Sequence, residues 1–465
     1  MLFSSLTFLL FFLPLTLGIY FTWNNRTYRN MVLLAVSLVF YGWGEPKLIV
    51  LMLFLLFVNY WLALIMDKKE GKARLFWLLL VICIDLGSLF YYKYFNFALS
   101  NINRLFGTSF ISNVVLPIGI SFYLFQVLSY VIDVYRKSVP VQKNFFLLST
   151  YIALFPQLIA GPIVRYLTVA EQLTERHESW DGFYHGVRRF IAGLVKKVVL
   201  SNNAAMVANM VFVETNLSDL NFTLAWIGAV SYTLQIYFDF SGYSDMAIGL
   251  GKMFGFDFLE NFNYPYISRS ITDFWRRWHI SLSTWFRDYV YIPLGGNRKG
   301  LRRQLMNLFV VWALTGLWHG AAWNFVAWGL YFAFILVAEK VFLSKLLNKM
   351  PRFVQHAYSL LLIVVGWVIF NSSSMTQIVV MLKTMFLQPQ AVSLAYIKNL
   401  RILYLWPYLF AAVLASTPIF RKVDEILMKN KVGEVFSNTI LVILLCWSII
   451  LLVNNSYNPF IYFRF

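Results

Sequence analysis

From Gln304 to Ala338 the chain runs 35 residues without an Asp, Glu, Lys or Arg. Apolar runs of spanning length recur along it, near 3–21, 31–44, 47–66, 75–95, 113–132, 144–160, 221–238, 304–338, 355–370, 403–416 and 436–453. Of the 465 residues 60% are hydrophobic and only 13% charged, where a soluble domain carries about a quarter. This pattern predicts an all-α polytopic membrane protein, with about 11 transmembrane helices plus re-entrant and interfacial pieces. The N-terminal stretch lacks a basic region and a small-residue cleavage site, so it reads as a first span rather than a removed signal.

The net charge is +18, and the loops show its main source. Arg26 and Arg29 follow the first span, Lys68, Lys69, Lys72 and Arg74 the third, and Arg136, Lys137 and Lys143 the fifth. The loops after the second and fourth spans are nearly neutral. Basic loops stay in the cytoplasm, which predicts an extracytoplasmic N-terminus. With no soluble domain to carry it, nucleic-acid binding is excluded as a reading of this charge. Cys83 and Cys446 both lie in apolar stretches and imply neither a disulfide framework nor a metal cluster.

As one helix the Gln304–Ala338 run would measure ~53 Å, far more than a ~30 Å hydrocarbon core. Gly316, Gly320, Ala321 and Ala322 predict a break near its centre, leaving two arms. His319 sits at that break. Irregular backbone at membrane depth survives only beside protein or a wet cavity, and ionisable residues there usually mark a site.

A second region reads as a short interfacial helix. In SRSITDFWRRWHISLSTWFRDY, Ser270 and Asp273 form a capping box. Helical periodicity then predicts one piece of roughly 15 residues, too short to span. Arg277, Ser281, Thr284 and Asp288 fall on one face, and Trp275, His279, Leu282 and Phe286 on the other. The stretches 161–215 and 255–303 read as neither clean spans nor soluble domains.

His319 and His279 are 40 residues apart with no ligand-spaced neighbours, which argues against a metal site. No nucleophile-elbow or phosphate-loop motif is present. What remains is an imidazole acting as general base or proton carrier. Asp239 and Asp245 could orient such a ring, or serve only as structural hydrogen-bond partners. At this level a transporter with midplane polar groups fits equally well.

ENFNYPYISRSITDFWRRWHISLSTWFRDYVYIPLGGNR (260–298), LTGLWHGAAWNFVAWG (314–329), FPQLIAGPIVRY (155–166), DFSGYSDMAIG (239–249) and NPFIYFRF (458–465) together resemble the membrane-bound O-acyltransferases, and within them the alginate O-acetylation branch. The resemblance runs nearly end to end, with its motif core at about 150–340 of a single 1–465 domain. It implies a helical funnel in which a cytoplasmic acyl donor and an extracytoplasmic hydroxyl meet at a deep histidine. His319 would be the catalytic histidine and His279 the second motif histidine. The donor would be acetyl-CoA, a substrate and not a resident cofactor, whose phosphates suit Arg298, Lys299, Arg302 and Arg303. Asp239, Asn261, Arg276, Trp318 and Asn324 complete the candidate substrate-binding set with Arg298 and Arg302. The resemblance further implies a bacterial inner-membrane location, a polysaccharide acceptor and an extracytoplasmic partner of the SGNH-hydrolase type. D-alanyl transfer to teichoic acids and non-enzymatic transport are the competing readings.

Overall fold

Backbone groups in lipid must be satisfied within their own segment, and every regular element among the described residues is helical. A computed structural model describes residues 1–159, 161–387, 402–454, 458, 459 and 461. Among these described residues six helices are long and apolar enough to cross a membrane: Ile49–Asp67, Gly71–Phe106, Trp180–Glu214, Trp323–Leu347, Arg352–Asn371 and Lys431–Asn454. Four shorter apolar helices, Phe8–Phe21, Ile120–Tyr135, Met375–Leu387 and Tyr404–Ala415, accompany them. Most of the terminal NPFIYFRF motif lies outside the described residues.

The chain divides into two compact units, Met1–Phe190 with Met246–Leu259, and Ile191–Asp245 with Glu260–Phe465. In the first, Asn25 caps the Arg26–Gly44 helix by accepting the Tyr28 N–H at 3.0 Å. The basic residues after the first apolar helix close on one carboxylate. Glu178 accepts from Arg26 Nη1 at 2.6 Å, from Arg29 Nη1 at 2.8 Å and from the Tyr20 hydroxyl at 2.5 Å. Three-way pairing of this kind offsets the desolvation of a nearly buried charge.

In the second unit the charge-free run forms a helical hairpin, Gly300–His319 and Trp323–Ala338, broken at Gly320–Ala322 as expected. Its arms touch at glycines. A Cβ at Gly329 would lie 2.5 Å from the Trp312 carbonyl oxygen and 3.2 Å from Gly316 Cα. Trp275, Trp312, Trp328, Phe332 and Trp367 pack edge to face around this hairpin, a geometry that adds to plain area burial.

Two expectations are corrected. The 270–288 region is not one helix but two, Ile271–Arg277 and Ile280–Phe286, because His279 adopts a left-handed conformation at φ 46°. The two-face assignment across it therefore fails, although Ser270 does cap its first helix by accepting the Asp273 N–H at 3.0 Å. Within 161–215, Trp180–Glu214 is long and apolar enough to span. Its lysines hid it in the sequence. In the structure Lys196 pairs with Asp245 at 2.6 Å, and the buried Lys197 pairs with Asp239.

Candidate active site

His319 is the last residue of the Gly300–His319 helix, where Gly320 ends the helical path with extended backbone. That backbone suits any residue, but a Cβ on Gly320 would collide with the Phe325 ring. Glycine is thus required by close approach, and the close approach keeps the hairpin tip narrow. The His319 ring is buried and walled by Trp318 at 5.0 Å, Trp328 at 5.0 Å and Phe370 at 5.2 Å, all edge-on. Asn324, one residue into the second arm, donates to the Phe370 carbonyl at 3.0 Å and so fixes that wall.

His279 reaches the same aromatic pocket from the break between its two helices. Its ring lies 4.5 Å from Phe240, at 88°, and 6.0 Å from Trp318. Trp318 therefore touches both imidazoles. The break is splinted by Asn261, whose carbonyl accepts the Ile280 N–H at 2.9 Å. Asn261 Oδ1 accepts the Ser281 N–H at 3.2 Å and the Ser281 hydroxyl at 2.9 Å, and it lies 3.1 Å from His279 Nδ1.

These contacts assign the tautomer. An amide oxygen only accepts, so His279 Nδ1 must carry the proton and donate to it. Burial first, and His319 second, hold the His279 imidazole well below its usual range, so the ring is neutral. Its Nε2 then presents a lone pair, and this buried atom has no hydrogen-bond partner among the described residues. A neutral, oriented imidazole with an open acceptor nitrogen suits hydrogen bonding to a hydroxyl.

Of the residues singled out in the sequence, His319, His279, Trp318, Asn261 and Asn324 come together here. Asp239 does not turn to either histidine. It pairs with Lys197 and accepts the Ile461 N–H at 2.8 Å. Arg276, Arg298 and Arg302 are exposed, and Arg302 stands ~26 Å along the helix from His319 at the helical rise. Phe240, Ser281, Trp328 and Phe370 were not singled out. Ser281 had a signal, a hydroxyl two residues beyond a motif histidine, whereas Phe370 had none.

The family model of the membrane-bound O-acyltransferases matches residues 136–382, the stretch that contains both histidines. This chain belongs to that family. It is an O-acyltransferase and a multi-pass membrane protein. It is 41% identical to a probable alginate O-acetylase of Pseudomonas putida over the whole of both chains. It is 45% identical to a protein of the same name from Azotobacter vinelandii, over 81% of this chain and 76% of the relative. A peptidoglycan O-acetyltransferase of Helicobacter pylori is 33% identical over 83% of this chain and 80% of its own length.

Proposed function

We propose that the chain takes acetyl from cytoplasmic acetyl-CoA and supplies it for O-acetylation of an extracytoplasmic polysaccharide, alginate or another surface glycan. The observation that carries this reading is the pair of buried imidazoles sharing Trp318 at the tip of the hairpin. The names of the relatives, which are acetylases of alginate and peptidoglycan, favour acetyl over D-alanyl transfer and over transport.

In this mechanism His319 removes the proton of the hydroxyl that first receives the acetyl, supplied on the relay side and not by the long polymer itself, as its oxygen attacks the thioester carbonyl. The tetrahedral intermediate collapses, the carbon–sulfur bond breaks, and the leaving thiolate takes a proton back from the imidazolium. His279 Nε2 accepts a hydrogen bond and orients the reacting group. The exposed basic residues Arg298, Lys299, Arg302 and Arg303 bind the CoA phosphates on the cytoplasmic side. Asp239 acts at a distance, by holding Lys197.

In this reading the activity belongs to the chain as a single 1–465 domain, which the end-to-end match to the Pseudomonas putida relative supports. In this reading it is a bacterial inner-membrane protein of about 11 crossings, and the basic residues after the odd-numbered spans favour an N-terminus outside. Long polymer is too bulky to reach a buried histidine, so an extracytoplasmic SGNH-type partner completes the transfer. Proteoliposomes loaded with acetyl-CoA test the scheme. The protein alone should hydrolyse or transfer acetyl slowly, and external partner plus glycan should raise ester formation. A D-alanyl carrier protein replacing acetyl-CoA with equal effect would overturn the acetyl assignment. Efficient acetylation of long polymer without a partner would overturn the relay.

A further inference from the structure

The first unit holds a buried polar cluster that acyl transfer does not use. Asp85 is fully buried on the Gly71–Leu89 helix, and among the described residues it is Asn59 that donates to its Oδ1, at 2.8 Å. Asn59 also donates to the Leu55 carbonyl at 2.9 Å, so both its bonds go to acceptors and its amide orientation is fixed. Asn59 Oδ1 is therefore a true acceptor. Tyr41 and Tyr123 are buried with their rings 6.5 Å apart, and the Tyr123 hydroxyl lies within electrostatic reach of Tyr41 and Asp85. Gln126 follows Tyr123 by three residues, on the same face of the Ile120–Tyr135 helix. That helix packs against both Ile49–Asp67 and Gly71–Leu89, which carry Asn59 and Asp85.

Six buried atoms in this set have no hydrogen-bond partner among the described residues: Asp85 Oδ2, Asn59 Oδ1, the Tyr41 and Tyr123 hydroxyls, and Gln126 Oε1 and Nε2. Unpaired buried polar atoms are costly and rarely gather without a ligand. Five of the six are oxygens. An oxygen set with one carboxylate suits a hard cation of single charge. The buried Lys93 ammonium is directed elsewhere, its Nζ donating to Ser121 Oγ at 3.0 Å. Glu45, the other acid within reach, accepts the Ile118 N–H at 3.3 Å.

We propose that Asp85, Asn59, Tyr41, Tyr123 and Gln126 form a binding site for one sodium-like monovalent cation inside the first unit. The bound cation neutralises Asp85 and ties together the Arg26–Gly44, Ile49–Asp67, Gly71–Leu89 and Ile120–Tyr135 helices. The site is independent of the acyl-transfer assignment.

Thermal unfolding of the purified protein, with sodium chloride exchanged for choline chloride at constant pH and ionic strength, tests it. A ligand that binds only the folded state raises the midpoint to a degree set by its concentration. Wild type should show a rise that depends on sodium, and D85N should show none. Tyr123→Phe, which keeps the ring, should raise the sodium concentration needed for half the effect on the order of tenfold. Radioactive sodium retained by wild type and not by D85N gives a second readout that does not depend on stability. A sodium effect equal in wild type and D85N would overturn the proposal. So would a wild-type midpoint that follows pH and ignores sodium, which would make Asp85 a proton site.

Discussion

His279 Nδ1 stands 3.1 Å from Asn261 Oδ1, and the same oxygen takes both the backbone N–H and the hydroxyl of Ser281. One amide oxygen thus fixes a backbone break, a ring orientation and a tautomer. A carboxylate in its place would change the electrostatics while keeping the shape. Asn261→Asp puts a negative charge beside Nδ1 and raises the His279 pKa from its depressed position. Below the raised value the ring is protonated and Nε2 loses its lone pair. The variant's acyl-transfer rate should therefore fall more at pH 6 than at pH 8, where wild type stays flat. A variant profile parallel to wild type would reduce Asn261 to a structural splint.

His319→Ala should lower acyl transfer by ~10²–10⁴, with expression and membrane insertion near wild type. Its ring fills a small gap between Trp318, Trp328 and Phe370, so a modest stability loss accompanies the change. Single-turnover rates, normalised to folded protein, separate the two effects. Activity within about threefold of wild type would remove His319 from the chemistry. His279→Ala should give a smaller, mixed defect, because its ring also packs on Phe240.

The parts of this site that were legible in the sequence are those with a local physical cause. The hairpin break follows from a charge-free run too long for one crossing and from small residues at its centre. The Ser270 cap follows from side-chain chemistry over three residues. The break at His279 had no such cue, since the helical period runs straight through Trp278 and His279. It arises from Asn261, 18 residues away, whose backbone and side chain capture Ile280, Ser281 and the imidazole. The Trp180–Glu214 helix was obscured for a related reason. Lys196 and Lys197 lower its apparent apolarity, and their partners Asp245 and Asp239 lie more than 40 residues on.

Gly329 should be intolerant of any side chain. Its added Cβ would sit 2.5 Å from the Trp312 carbonyl oxygen, which is backbone and cannot rotate away. Gly329→Ala should pry the hairpin arms apart, cost ~1–3 kcal/mol, and lower activity by displacing His319 at the tip. Gly87→Ala is the control. A Cβ there meets nothing within 4 Å, and alanine in a helix interior is neutral or slightly favourable. Equal unfolding midpoints for the two variants would contradict the close-packing account.

Glu178 ties Tyr20, Arg26 and Arg29 together in the first unit, and its acidity should show in the pH dependence of stability. Burial pushes its pKa up, but hydrogen bonds from Arg26 and Tyr20 and the Arg26 charge outweigh it and bring the value down to about 2. The folded-state value lies below the ordinary 4.5, so the carboxylate contributes stability above that pH. The contribution fades as pH falls from about 4.5 toward 2. Glu178→Gln keeps the size and a partial hydrogen bond but leaves Arg26 and Arg29 without their counter-charge. Its unfolding midpoint should lie several degrees below wild type at pH 7. On acidification through the window between the two values, wild type should fall toward the variant, closing the gap. A gap that stays constant down to pH 3 would mean that shape and not charge is what Glu178 supplies.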